Sequence, residues 1–80
     1  MMKTIIYELK ENGDGNINKI AEYTLHPKDA LVCFIMQSRK NFNTWDYPKE
    51  IKGMRESNTT PNHWYFDDDV NERVLAAYPA

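Results

Sequence analysis

Lys3-Thr4-Ile5-Ile6-Tyr7-Glu8-Leu9 and, eight residues on, Ile17-Asn18-Lys19-Ile20-Ala21-Glu22-Tyr23-Thr24-Leu25 are the two stretches on which the fold turns. Both are rich in β-formers and alternate in character. Ile5, Tyr7 and Leu9 point to one side, with Thr4, Ile6 and Glu8 on the other. In the second stretch Ala21, Tyr23 and Leu25 oppose Ile20, Glu22 and Thr24. Between them lies Glu11-Asn12-Gly13-Asp14-Gly15-Asn16. Its Asn-Gly and Asp-Gly steps tolerate positive φ and so specify a hairpin with a loop of two, three or more residues.

A helix follows the hairpin. His26 or Thr24 ends the strand and begins the cap, and Pro27 suits the first helical position, where a missing N–H is harmless. Asp29 falls in the first turn and Arg39 and Lys40 in the last, each matching the helix dipole. Ala30, Leu31, Phe34, Ile35 and Ser38 share one face at helical spacing. Val32, Cys33 and Met36 widen that stripe, which calls for burial on two sides or for a partner.

Residues 41–61 are the least regular. Asn41-Phe42-Asn43-Thr44 stops the helix, and Trp45-Asp46-Tyr47-Pro48 is extended because the residue before proline is driven out of the α region. Lys49 to Ser57 fits a helical turn, a strand or an ordered loop. Thr59-Thr60-Pro61-Asn62 is a turn. His63-Trp64-Tyr65-Phe66 and Arg73-Val74-Leu75-Ala76-Ala77-Tyr78 read as strands, with Asp67 to Asn71 as the loop between them. Pro79 suits the end of an edge strand. The expectation is one α+β domain spanning residues 1–80: an antiparallel sheet of about four strands, in the order β-β-α-loop-β-β, with the helix across one face.

Composition sets the scale. Of the 80 residues, 41% are hydrophobic, enough to offset the entropy of ordering the chain. A chain this short buries roughly 60–65% of its unfolded surface, so its stability is expected near the low end of about 5–15 kcal/mol. The net charge of −2 gives no basic excess for a phosphate backbone. Acidity is concentrated late, with seven acidic and four basic side chains in residues 41–80. No apolar run approaches the ~18 residues of a membrane span, and no signal-peptide apolar region stands at the start; the reading is cytoplasmic, with no membrane partner.

Chemistry-bearing motifs are few. Cys33 is the only cysteine and sits in an apolar run, so neither a disulfide nor a thiolate-rich zinc site is expected. Asp14, Asn16 and Asn18 have calcium-loop spacing, but the sixth position is Lys19 rather than glycine and the twelfth is Leu25 rather than glutamate. His63 and Asp67 share a strand face, yet two ligands do not define a metal site. Asn58-Thr59-Thr60 matches a glycosylation pattern and reads as a polar turn. No nucleophile elbow, phosphate loop or dinucleotide fingerprint is present, and nothing in the pattern suggests a buried carboxylate pair. The chain is therefore read as non-catalytic, with no cofactor.

The aromatics are the remaining signal. Phe42, Trp45, Tyr47, Trp64, Tyr65 and Phe66 are six of the ten in the chain. They either close the end of the small core or, for Trp45 and Tyr47 above all, act as exposed anchors of the kind that dominate binding hot spots. Lys49, Lys52 and Arg55 lie beside that loop, and Asp67, Asp68, Asp69 and Glu72 form an acidic one. In size and composition the chain is similar to the short accessory proteins of bacteriophages and other mobile elements that occlude a host protein. The expected function is protein binding or inhibition through these two loops. The alternative is a module for single-stranded nucleic acid, in which aromatics stack on bases and Lys49, Lys52, Arg55 and Arg73 meet phosphates. A small enzyme is the third class. A homodimer through an edge strand carrying Tyr78 is a further expectation.

Overall fold

The computed structural model describes residues 2–10, 17–38, 52–69 and 71–80, with Lys10 as backbone alone. Five strands and one helix follow in the order β1 (Thr4–Lys10), β2 (Ile17–Tyr23), α1 (Pro27–Ser38), β3 (Arg55–Glu56), β4 (Trp64–Asp68) and β5 (Arg73–Pro79). The fold is α+β, as expected, but the sheet has five strands rather than about four, in the spatial order β2-β1-β5-β4-β3. The extra strand is β3, part of the segment that suited a turn, a strand or a loop. Every ladder described is antiparallel.

The helix begins as its sequence dictates. His26 is the cap: its carbonyl accepts from the Ala30 N–H at 2.9 Å, and its Nδ1 accepts from the Lys28 N–H at 3.2 Å. Pro27 then occupies the first helical position without an orphaned donor. Arg39 and Lys40 lie outside the described residues.

One face of the sheet packs on α1. Ala30, Leu31 and Ile35 from the helix meet Ile6 of β1, Phe66 of β4, and Leu75 and Ala77 of β5, with Met54 closing the end. Burying a leucine or isoleucine side chain contributes about 1.5–3 kcal/mol, so a handful of residues supplies most of the stability. Leu31→Ala, at a site with no exposure, would remove about 2–5 kcal/mol and threaten the fold. Thr4 is buried among these residues and satisfied, its hydroxyl donating to the Leu25 carbonyl at 2.6 Å.

Three local details correct the sequence reading. First, the β1–β2 register shifts between Ile6 and Tyr7, so that Ala21 faces Ile6 while Lys19 faces Tyr7 and Ile20 is the extra residue of a bulge. Ile20 therefore joins Ala21 against the core instead of opposing it. Second, Asp67 and Asp68 belong to β4 and not to the following loop. Third, β5 is interior: it pairs with β1 on one side and β4 on the other, so Tyr78 does not lie on an edge strand. Pro79 is tolerated because the β4 ladder has already ended at the Trp64–Ala77 pair, leaving only the Thr4 side.

The turn between β3 and β4 is built from its polar residues. Ser57 Oγ accepts from the N–H groups of Thr59 and Thr60, both at 3.2 Å. Glu56 Oε2 accepts from the Asn62 N–H at 2.8 Å, and Asn62 takes φ 64°. Asparagine is among the few residues that accept this left-handed conformation readily.

Candidate functional site

Residues directly opposite in a ladder share a face, so the registers sort the sheet into two sides. The side away from α1 carries Ile5, Tyr7 and Leu9 from β1, Val74, Ala76 and Tyr78 from β5, and Tyr65 and Asp67 from β4. Ala76 pairs with Tyr7 on one flank and with Tyr65 on the other, and is fully buried between them. Tyr78 is the hub of the rings. Its centroid lies 5.4 Å from Tyr7, 5.9 Å from Tyr65 in an edge-on arrangement, and 4.3 Å from His63. Its hydroxyl donates to that of Tyr65 at 3.3 Å. Burial, then this hydrogen bond, push the Tyr78 phenol up to about 12.

Ion pairs line the rim. Arg55 Nη2 meets Asp67 Oδ2 at 3.2 Å on the β3–β4 side. On the β2 side Glu22 meets Lys3 at 3.2 Å and Lys19 at 3.1 Å. Hydrogen bonds from Lys19 and then Lys3 hold the Glu22 carboxyl below its ordinary range. All of these groups are well exposed, so each pair contributes little to stability.

The expected site residues fall into three groups. Trp45, Tyr47 and Lys49 lie outside the described residues, as do Phe42 and residues 14–16 of the calcium-like segment. Lys52, Asp69 and Glu72 are exposed, and Arg55 and Asp67 pair with one another. Asp68 is different. It is buried on the helix side of the sheet, accepting from Arg73 Nε at 3.0 Å and from Asn71 Nδ2 at 3.1 Å. Arg73 also donates from Nη1 to Glu8 Oε2 at 2.8 Å, and its guanidinium stands 5.3 Å from the Phe34 ring centroid. Burial alone would lower the Arg73 pKa; its bonds to Glu8 and Asp68 outweigh that and raise it. The buried Asp68 and the partly buried Glu8 thus flank one arginine, which joins them into a network across three strands.

The late aromatics separate in the same way. Phe66 is in the core, and Trp64 packs against it from the helix side, with Lys28 Nζ 5.5 Å from its ring and His26 edge-on at 6.2 Å. Tyr65 alone of the three joins the opposite face. Sequence reasoning missed Tyr7 and Tyr78 as site residues, although the alternation of Ile5, Tyr7 and Leu9 had already marked their side. Among the described residues no group of three or more His, Cys, Asp or Glu is placed to hold a metal ion, and no helix is long and apolar enough to cross a membrane. Comparison with protein-family models, curated proteins and solved structures gave no match to this chain.

Proposed function

We propose that the chain is a non-catalytic protein-binding module that acts by covering part of its partner, and that the face of Tyr7, Tyr65, Tyr78 and His63 is the surface it presents. The observation that carries this reading is the ring cluster about Tyr78 on the side of the sheet opposite α1. Tyrosine offers rigid apolar area with a hydroxyl that can pair across an interface, and rings held against one another lose little entropy on docking. The charges around the cluster favour a protein over a nucleic acid. Lys3, Lys19 and Arg55 each already face a carboxylate, so binding a phosphate would require breaking a pair. The chain as a whole is acidic.

Affinity capture with the native chain and with a Tyr7→Ser/Tyr65→Ser variant tests this. Both are first shown to fold by circular dichroism. Partners held by the native chain and lost by the variant support the reading, while a folded variant that keeps every partner removes it. A parallel titration with single-stranded oligonucleotide at low salt reads the competing function. Tight binding that salt abolishes and that needs Tyr65 would favour nucleic acid instead.

A further inference from the structure

We propose that β2 pairs antiparallel with β2 of a second copy of the chain, about a two-fold axis between Ile20 and Ala21, joining two five-stranded sheets into one. β2 stands at one end of the strand order and is seven residues long, with β1 as its one neighbour among the described residues, whereas the strand at the other end, β3, has only two residues. β5 is enclosed on both sides and cannot serve.

The bulge decides the register. Across a two-fold axis between Ile20 and Ala21, Lys19 faces Glu22 of the second copy, and Asn18 faces Tyr23. In a regular strand, residues three apart point to opposite faces, so this register would mismatch every pair. The extra residue at Ile20 removes the mismatch. Lys19 and Glu22 lie on one face, close enough for the 3.1 Å contact within the strand, and Ile20 and Ala21 both turn to the helix side. Asn18 and Tyr23 also share the helix side, opposite Glu8 and Thr4. The joined strands would set Lys19 against Glu22 twice and Ile20 against Ala21 twice.

Facing excludes the adjacent registers: an axis through Ile20 sets Lys19 against Ala21, and one through Ala21 sets Lys19 against Tyr23, residues of opposite faces. Charge disfavours axes further out, since one through Lys19 opposes two lysines and one through Glu22 opposes two glutamates. A bulge and a lysine ordinarily defend an edge strand against indiscriminate pairing. Here the same two features admit one register. Lys19, opposite Tyr7, stands at the rim of the tyrosine face, but the pairing is made along the β2 edge and is read by oligomeric state rather than by partner capture, so either proposal can fail alone.

Sizing chromatography with light scattering, run from micromolar to millimolar protein, tests it. The native chain is expected to dimerise with rising concentration, and Lys19→Glu and Glu22→Lys are each expected to remain monomeric. Mixed in equal amounts, those two variants are expected to dimerise with each other. One then carries a carboxylate at both positions and the other an ammonium at both, so each cross-strand pair again joins opposite charges. A native chain that stays monomeric throughout overturns the proposal, as does a single variant that dimerises like the native chain. A mixture that stays monomeric does so too. Circular dichroism confirms that each variant folds. Should either fail to fold, the double variant Lys19→Glu/Glu22→Lys, which restores complementarity with reversed sign, must dimerise as the native chain does; a monomer refutes the pairing.

Discussion

Asp68 and Arg73 face each other across the β4–β5 ladder, and the Nε–Oδ2 bond of 3.0 Å joins a carboxylate with no exposed surface to a guanidinium that reaches onward to Glu8 on β1. One side chain therefore ties three adjacent strands together beneath the helix. A buried carboxylate is tolerable only while its cation remains.

Replacing Arg73 with alanine should therefore cost about 3 kcal/mol, lowering the Tm on the order of 15 °C for a domain of this size. Arg73→Lys keeps the charge but loses the forked geometry, and should fall between the two. Thermal melts of the three proteins check the order. Equal Tm values for the native chain and the alanine variant would show that the network contributes nothing.

Tyr78 makes stability depend on alkaline pH. Its ordinary value is 10.0 and burial raises it to about 12 in the fold. Between those values the unfolded chain releases a proton that the folded one retains, so unfolding gains. The contribution is complete below pH 10 and drains away as pH rises toward 12. Urea midpoints measured across this range should fall more steeply for the native chain than for Tyr78→Phe.

His26 caps α1 through its Nδ1, which accepts from the Lys28 N–H. His26→Asn keeps an acceptor at the cap and should hold the thermal midpoint near that of the native chain. His26→Ala should cost about 1 kcal/mol at neutral pH.

Glu72 takes φ 53° in the β4–β5 connection, a left-handed conformation that a Cβ atom makes unfavourable. Its side chain is exposed. Glu72→Gly should relieve the strain and raise stability by about 0.5–1 kcal/mol, net of the added freedom of the unfolded chain. A lowered denaturant midpoint would show that the glutamate makes a compensating contact.

Thr4→Val keeps shape but removes the hydroxyl that satisfies the Leu25 carbonyl. A buried acceptor left alone costs about 1–3 kcal/mol. The loss should appear in equilibrium unfolding, with little change in the circular dichroism spectrum.

What could be read from the chain was local. The alternation in residues 4–9 and 17–23, with Asn-Gly and Asp-Gly between them, is enough for the first hairpin. Pro27 and Asp29 mark the start of the helix because caps and dipoles act within one turn. The place of β5 was not legible, because pairing it with β1 depends on which face each strand buries and not on any neighbour in sequence. Asp68 was misplaced for the same reason: three consecutive aspartates resemble a solvated loop until Arg73 and Asn71 converge on the middle one. The ring cluster about Tyr78 likewise joins Tyr7, His63 and Tyr65 from three separate strands or their ends. A single periodic window could show each member but not their meeting.

The middle strand of the sheet, β5, is also made after the other four. β1 and β2 can zip together early, and β4 and β5 can do so on their own, but the ladder from β1 to β5 joins residues more than sixty positions apart. Until it closes, each half exposes an unpaired strand and a bare apolar side. During synthesis on the ribosome the first hairpin and the helix must therefore wait for β5 to emerge, exposed to any stray strand or chaperone nearby.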